Sequence, residues 1–104
     1  MHIELGETIA ERTFRVHDEN GNETFAKVIF GMPRQMQDSD DVFVPYLIEA
    51  LDRKKLWYMV GIDAFQAIQL ALRVISSEIF AIENRYNVKF SWDGDDEGGL
   101  GFVD

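Results

Sequence analysis

GIDAFQAIQLALRVISSEIFAIENRY, residues 61–86, decides the fold. Its apolar positions Phe65, Ile68, Leu72, Ile75, Ile79 and Ile82 recur at spacings of three and four, which places them on one stripe of an α-helix. Asp63 stands where an N-cap is wanted, because its carboxylate can accept from the amides of the first turn. Asn87 follows the last periodic position and suits a helix terminator. Gln66, Gln69, Arg73 and Ser77 form a narrow polar stripe opposite the core stripe. A second apolar strip, Ala67, Leu70, Val74 and Ala81, lies between the two.

Upstream of this helix the pattern has period two. Residues 8–18 and 22–32 are two β-rich runs joined across Glu19-Asn20-Gly21. A two-residue turn would mix their faces. A three-residue loop with Gly21 in the left-handed conformation pairs Val16 with Thr24, Phe14 with Ala26 and Arg12 with Val28, collecting one buried face. Residues 34–41, with Asp38, Asp40 and Asp41, read as an exposed loop. Strands at 42–51 and 56–60 follow, with a turn at Asp52-Arg53-Lys54-Lys55 and an assumed pairing of Leu51 with Leu56. Pro45 has no amide hydrogen, so it belongs near a strand start or on an unpaired side. This hairpin is apolar on both faces: Phe43, Leu47, Leu51, Leu56, Tyr58 and Val60 on one, and Val44, Tyr46, Ile48, Ala50, Trp57 and Met59 on the other. Downstream, residues 88–92 alternate as a fifth strand, and 100–103 offer a short terminal one.

The order ββββαβ predicts one α+β domain over residues 1–104, a four- to five-stranded, mainly antiparallel sheet packed by one long helix. About 24 helical residues span roughly 36 Å and five strands side by side only roughly 20–24 Å, so the helix must cross diagonally or overhang. One helix covers one face of a sheet. The second face of the 42–60 hairpin and the Leu70/Val74 strip are left over, and apolar surface of that extent usually marks an interface. A homodimer using Tyr46, Trp57, Met59, Leu70 and Val74 is therefore expected. The competing expectation is that residues 33–41 or the C-terminal tail fold back over that surface.

Composition sets the outer bounds. The chain has 104 residues, 19 Asp+Glu against 10 Lys+Arg, a net charge of −9 and no cysteine. Disulfides, thiolate catalysis and cysteine-type zinc sites are excluded. The acidic balance argues against nucleic acid as a partner. The apolar runs are shorter than a membrane span requires, and a soluble cytoplasmic protein is expected. The acidic surface instead suits a basic protein partner, in the manner of small immunity proteins that neutralise basic toxins. No cofactor is implied and no enzyme is expected. The histidines are His2 and His17, Ser76-Ser77 sits mid-helix without a nucleophile-elbow context, and Gly61 stands alone where a phosphate loop needs several glycines.

The alternative function is ligand binding. Asp93, Asp95 and Glu97 occupy positions 1, 3 and 5 of a calcium-loop spacing, with Gly98 at position 6 and Asp104 at position 12. Against it, a strand precedes the loop where an EF-hand has a helix.

Pro45-Tyr46, the helix opening at residues 61–72, and the ending Trp92 with Gly101-Phe102 resemble an uncharacterised bacterial family of small α+β proteins of unknown function. The resemblance covers about two-thirds of the chain and implies no activity.

Overall fold

The computed structural model describes residues 3–93 and 99–102. Their order is β1 (Thr8–Asp18), β2 (Glu23–Gly31), β3 (Arg34–Gln35), β4 (Val42–Ala50), β5 (Arg53–Gly61), α1 (Ala64–Tyr86) and β6 (Val88–Ser91). The strands form one antiparallel sheet in the order β5-β4-β2-β1-β6, with the two-residue β3 beside the start of β4. The α+β class and the single long helix match expectation. The addition is β3, inside the stretch expected to be loop.

The first hairpin has the expected register: Val16 faces Thr24, Phe14 faces Ala26 and Arg12 faces Val28. Gly21 takes φ 82°, and Asp18 Oδ1 accepts from the amides of Asn20 and Asn22. Those donors, Asn22 foremost, hold the Asp18 carboxyl below the usual carboxylate range.

The second hairpin differs. Its turn is Leu51-Asp52, with Ala50 paired to Arg53 and Leu47 to Leu56. The register moves by an even number of residues from the assumed one, so the strand side chains keep their expected faces, while Leu51, expected beside Phe43 and Leu47, enters the turn and packs against the core on the helix side. Both turn residues have positive φ, 52° and 62°, where hairpins normally carry Asn-Gly. Arg53, Lys54 and Lys55 are thereby strand residues rather than a turn. Pro45 lies on β4 between the residues paired with β2 and those paired with β3, where the break leaves its missing donor without consequence.

α1 buries Ala67, Ala71, Ile75 and Ile79 against Phe14, Val16, Val28, Val44, Tyr46 and Ile48 of the sheet. Asp63 Oδ1 caps it from Gln66 N at 2.8 Å, and Asn87, left-handed at φ 53°, ends it. The stripe is rotated from the expected one. Phe65, placed in the core by periodicity, is 81% exposed, because two alanines allow the closest approach to the sheet and turn Phe65 aside. Gly61 abuts Ala67 and Lys55 reaches Glu78, so α1 runs back along β5 before ending beside β6.

Residues 99–102 form no strand. Gly101 presses on the Trp92 ring, Phe102 meets Phe14 edge-on at 6.0 Å, and Arg12 lies over Trp92 while donating to the Leu100 carbonyl. The tail thus extends the core on the helix side. On the far side the N-terminal segment lies against the sheet instead: the Leu5 carbonyl sits where a Cβ on Gly31 would stand, next to Pro45, and Arg34 covers Phe43.

The Leu51-Asp52 turn makes a simple test of this geometry. Asp52→Gly relieves a left-handed backbone strain and Asp52→Val worsens it, each by about 1 kcal/mol. The first is expected to raise the thermal midpoint by a few degrees and the second to lower it, measured by circular dichroism.

Candidate functional site

The helix-side flank of β5 carries one large exposed apolar side chain, Trp57. Because α1 runs back along β5 from Gly61 to Lys55, it sets Met59 and Trp57 level with Leu70 and Val74. Trp57 is 49% exposed, and Met59, Leu70 and Val74 are half-buried. Tyr46, expected with them, is fully buried: it faces Trp57 across the ladder but lies under α1, one strand further in. The far flank of α1 adds exposed Phe65 and Phe80, with Ile62 before the first turn.

β5 is also a sheet edge. Among the described residues nothing pairs with its outer side. The two-residue turn makes Ala50 and Arg53 the closing hydrogen-bonded pair, so Arg53, Lys55, Trp57, Met59 and Gly61 direct their main-chain groups to β4. Lys54, Leu56, Tyr58 and Val60 turn theirs outward. The edge is basic at 53–55 and uncharged from Leu56 to Gly61. Its acidic counterpart lies at the other end of the hairpin. Asp38 and Asp40 are exposed in the loop before β4, whose first residue, Val42, faces Gly61.

One polar cluster lies beneath this flank. The Lys55 ammonium contacts Glu78 Oε1 at 2.5 Å, and the Tyr46 hydroxyl donates to the same oxygen at 3.4 Å. Glu78 Oε2 is buried without a partner among the described residues. Burial, and then the neighbouring carboxylate, push the Tyr46 hydroxyl well above the ordinary phenol range. The cluster's visible role is to tie α1 to β4 and β5. Sequence periodicity did not find it. The one signal was Glu78 lying within an otherwise apolar helix flank.

The calcium-loop residues Asp95, Glu97 and Asp104 lie outside the described residues, as does His2. Asp93 is exposed, with Oδ1 3.4 Å from Arg15 Nη2. Among the described residues no three His, Asp or Glu side chains come together as a metal site. His17 is partly exposed on the outer face of β1, 3.7 Å from Glu23. By length and mean hydropathy α1 reaches what a bilayer crossing requires, contrary to the reading of the apolar runs. Ala67, Ala71, Ile75 and Ile79 on it are occupied by the sheet.

Residues 10–103 match the model of a family described as a domain of unknown function, DUF6968, and the chain belongs to that family. No curated protein and no solved structure matches it.

Because the Tyr46 pKa is raised in the folded state, its contribution to stability is complete below pH about 10 and declines as pH rises above that. Urea denaturation across pH 8–11 is expected to show a steeper loss of stability for the native sequence than for Tyr46→Phe. Equal slopes would contradict the assignment.

Proposed function

We propose that this DUF6968 protein is a non-catalytic interaction module that works by self-association, two copies joining along β5. The observation that carries the reading is the half-exposed Trp57, its ring 5.1 Å from that of Tyr58, on a strand edge with no partner among the described residues. A large aromatic at the centre of an open edge is the kind of anchor that dominates binding energy when a partner desolvates it.

Charge selects the occupant and the direction. An antiparallel pairing centred on Trp57 sets each tryptophan against its copy and Arg53 opposite Gly61 of the second chain. The basic end, Arg53, Lys54 and Lys55, then approaches the second copy's Asp63 and the Asp38–Asp40 loop, and the same match recurs at the other end. Parallel pairing would bring cations against cations. A basic protein would engage the same acidic loop, so the two partners compete for one surface.

Sedimentation equilibrium is the test. A concentration-dependent dimer is expected, and Trp57→Arg, a change at an exposed position, is expected to weaken it by about thirtyfold or more without lowering helical content. Lys54→Glu is expected to weaken it a few-fold, and adding Asp40→Lys in the same chain to restore it. A native protein that stays monomeric at its solubility limit would overturn the reading, as would a charge swap that fails to restore association.

A further inference from the structure

The tip of the β4–β5 hairpin and the C-terminal half of α1 enclose a cleft of about 360 Å³. Ile48, Ala50, Leu51, Ala81 and Ile82 give it an apolar wall. Its rim carries Arg53, Lys54, Lys55 and Arg85, four of the chain's ten Lys and Arg residues, in a protein whose net charge is −9. Against them stand Glu78 in the wall and Asp52 in the adjoining turn. Lys55 already compensates Glu78.

Two features separate this cluster from a solvated basic patch. Arg53 and Arg85 both lie against Tyr86, their guanidinium carbons 5.5 and 5.6 Å from its ring centre. Neither guanidinium group has a hydrogen bond or ion pair among the described residues. Two guanidinium groups held at one aromatic ring, in a chain with surplus carboxylates, leave their N–H edges free for an outside oxyanion. Leu51, which helps wall the cleft, is also held at φ 52°, a conformation unfavourable for a bulky residue.

We infer that this cleft binds a small organic acid with an apolar body, its carboxylate or phosphate head between Arg53 and Arg85 at the mouth. Planar guanidinium groups recognise both heads in the same bidentate manner. Glu78 sets the orientation: its Oε2, which Lys55 does not reach, disfavours an anionic head in the interior, so the apolar body enters and lies along Ala81 and Ile82. The cleft shares Arg53 with the proposed β5 pairing, and ligand titration and sedimentation read the two separately.

Isothermal titration of the full chain with decanoate and with decyl phosphate tests it, using decyltrimethylammonium and inorganic phosphate as comparators. Both decyl anions are expected to bind, the better of them naming the preferred head. Decyltrimethylammonium is expected to give no heat and inorganic phosphate only weak binding. The double variant Arg53→Gln/Arg85→Gln is expected to lose about tenfold or more in affinity for the decyl anions. Ala81→Trp, which fills the cleft from an exposed helix position, is expected to abolish binding, with circular dichroism reporting that each variant is folded. Equal affinity for the cationic decyl compound, equal affinity for phosphate alone, or undiminished binding by the double variant would overturn the assignment.

Discussion

The closeness of α1 to the sheet governs the rest of the molecule. Gly61, Ala67 and Ala71 form the contact: a Cβ on Gly61 would stand 2.6 Å from Ala67 N, and both alanines are fully buried. Small residues here let the helix backbone descend onto β4, sealing Tyr46 and Val44 beneath it. Larger side chains would lift the helix and open the core along its length. The same seating has an opposite consequence outside. A helix that lands on its alanines directs Phe65 and Phe80 to solvent and leaves Leu70 and Val74 half-covered beside Trp57. The apolar surplus is therefore a product of how the core is made.

Where local chemistry has one solution, the sequence was a sufficient guide. Gly21 supplies the left-handed residue of a three-residue loop, and the alternation on either side admits one register that separates a buried from a wet face. Asp63 and Asn87 mark the helix ends because capping depends on few atoms. Where several solutions compete, it was not. The charged run 52–55 resembles a turn by composition, yet the chain turns two residues earlier on Leu51-Asp52, because tertiary packing of Leu51 against the core outweighs turn propensity. Face assignment within the strands survived this error, since a shift by an even number conserves parity, but Leu51 left its expected face for the turn. Rotation of the helix did not survive, because hydrophobicity ranks Phe65 above Ala67 while close packing ranks them in reverse. Of the expected interface, Trp57, Met59, Leu70 and Val74 follow from parity and helical spacing. Tyr46 shares their face but lies a strand deeper, a difference that only strand order reveals.

The face of the β4–β5 hairpin that carries Phe43 and Leu47 is covered in part by Arg34, from the stretch 33–41 expected to fold back, and in part by the N-terminal segment, which was not expected there. Gly31 lets the N-terminal segment cross closely enough for the Leu5 carbonyl to approach Pro45, and Arg34 spreads over Phe43. Phe43 in turn meets Tyr58 edge-on at 5.8 Å. Ile29, Leu47, Leu56 and Val60 are left half-buried rather than open. The C-terminal residues reinforce the helix side instead, around Arg12 and Phe14. Of the large apolar side chains left exposed, Trp57 lies on the β5 flank, Phe65 and Phe80 on the far flank of α1, and Phe25 on β2.

An open, largely apolar edge is ordinarily an aggregation hazard, and the two ends of this sheet are managed differently. At the far edge, β6 pairs with only Arg15–Asp18, and β1 carries a register shift between Thr8 and Ala10, so no long, regular ladder is offered there. At the near edge, Arg53, Lys54 and Lys55 block a third of β5 to any neighbour that is not acidic at the matching position. Pairing of β5 with its own copy would consume the near edge of both chains and leave two poor edges outside. Such an assembly closes on a two-fold axis and does not propagate into a filament. The basic end of β5 has a second consequence. Because alternate strand residues point to opposite faces, Arg53 and Lys55 rise toward α1 while Lys54 faces away from it. One short run of cations thus guards a strand edge and supplies the rim of a cleft. Three of the ten Lys and Arg residues, the minority charge in this protein, stand in that one run.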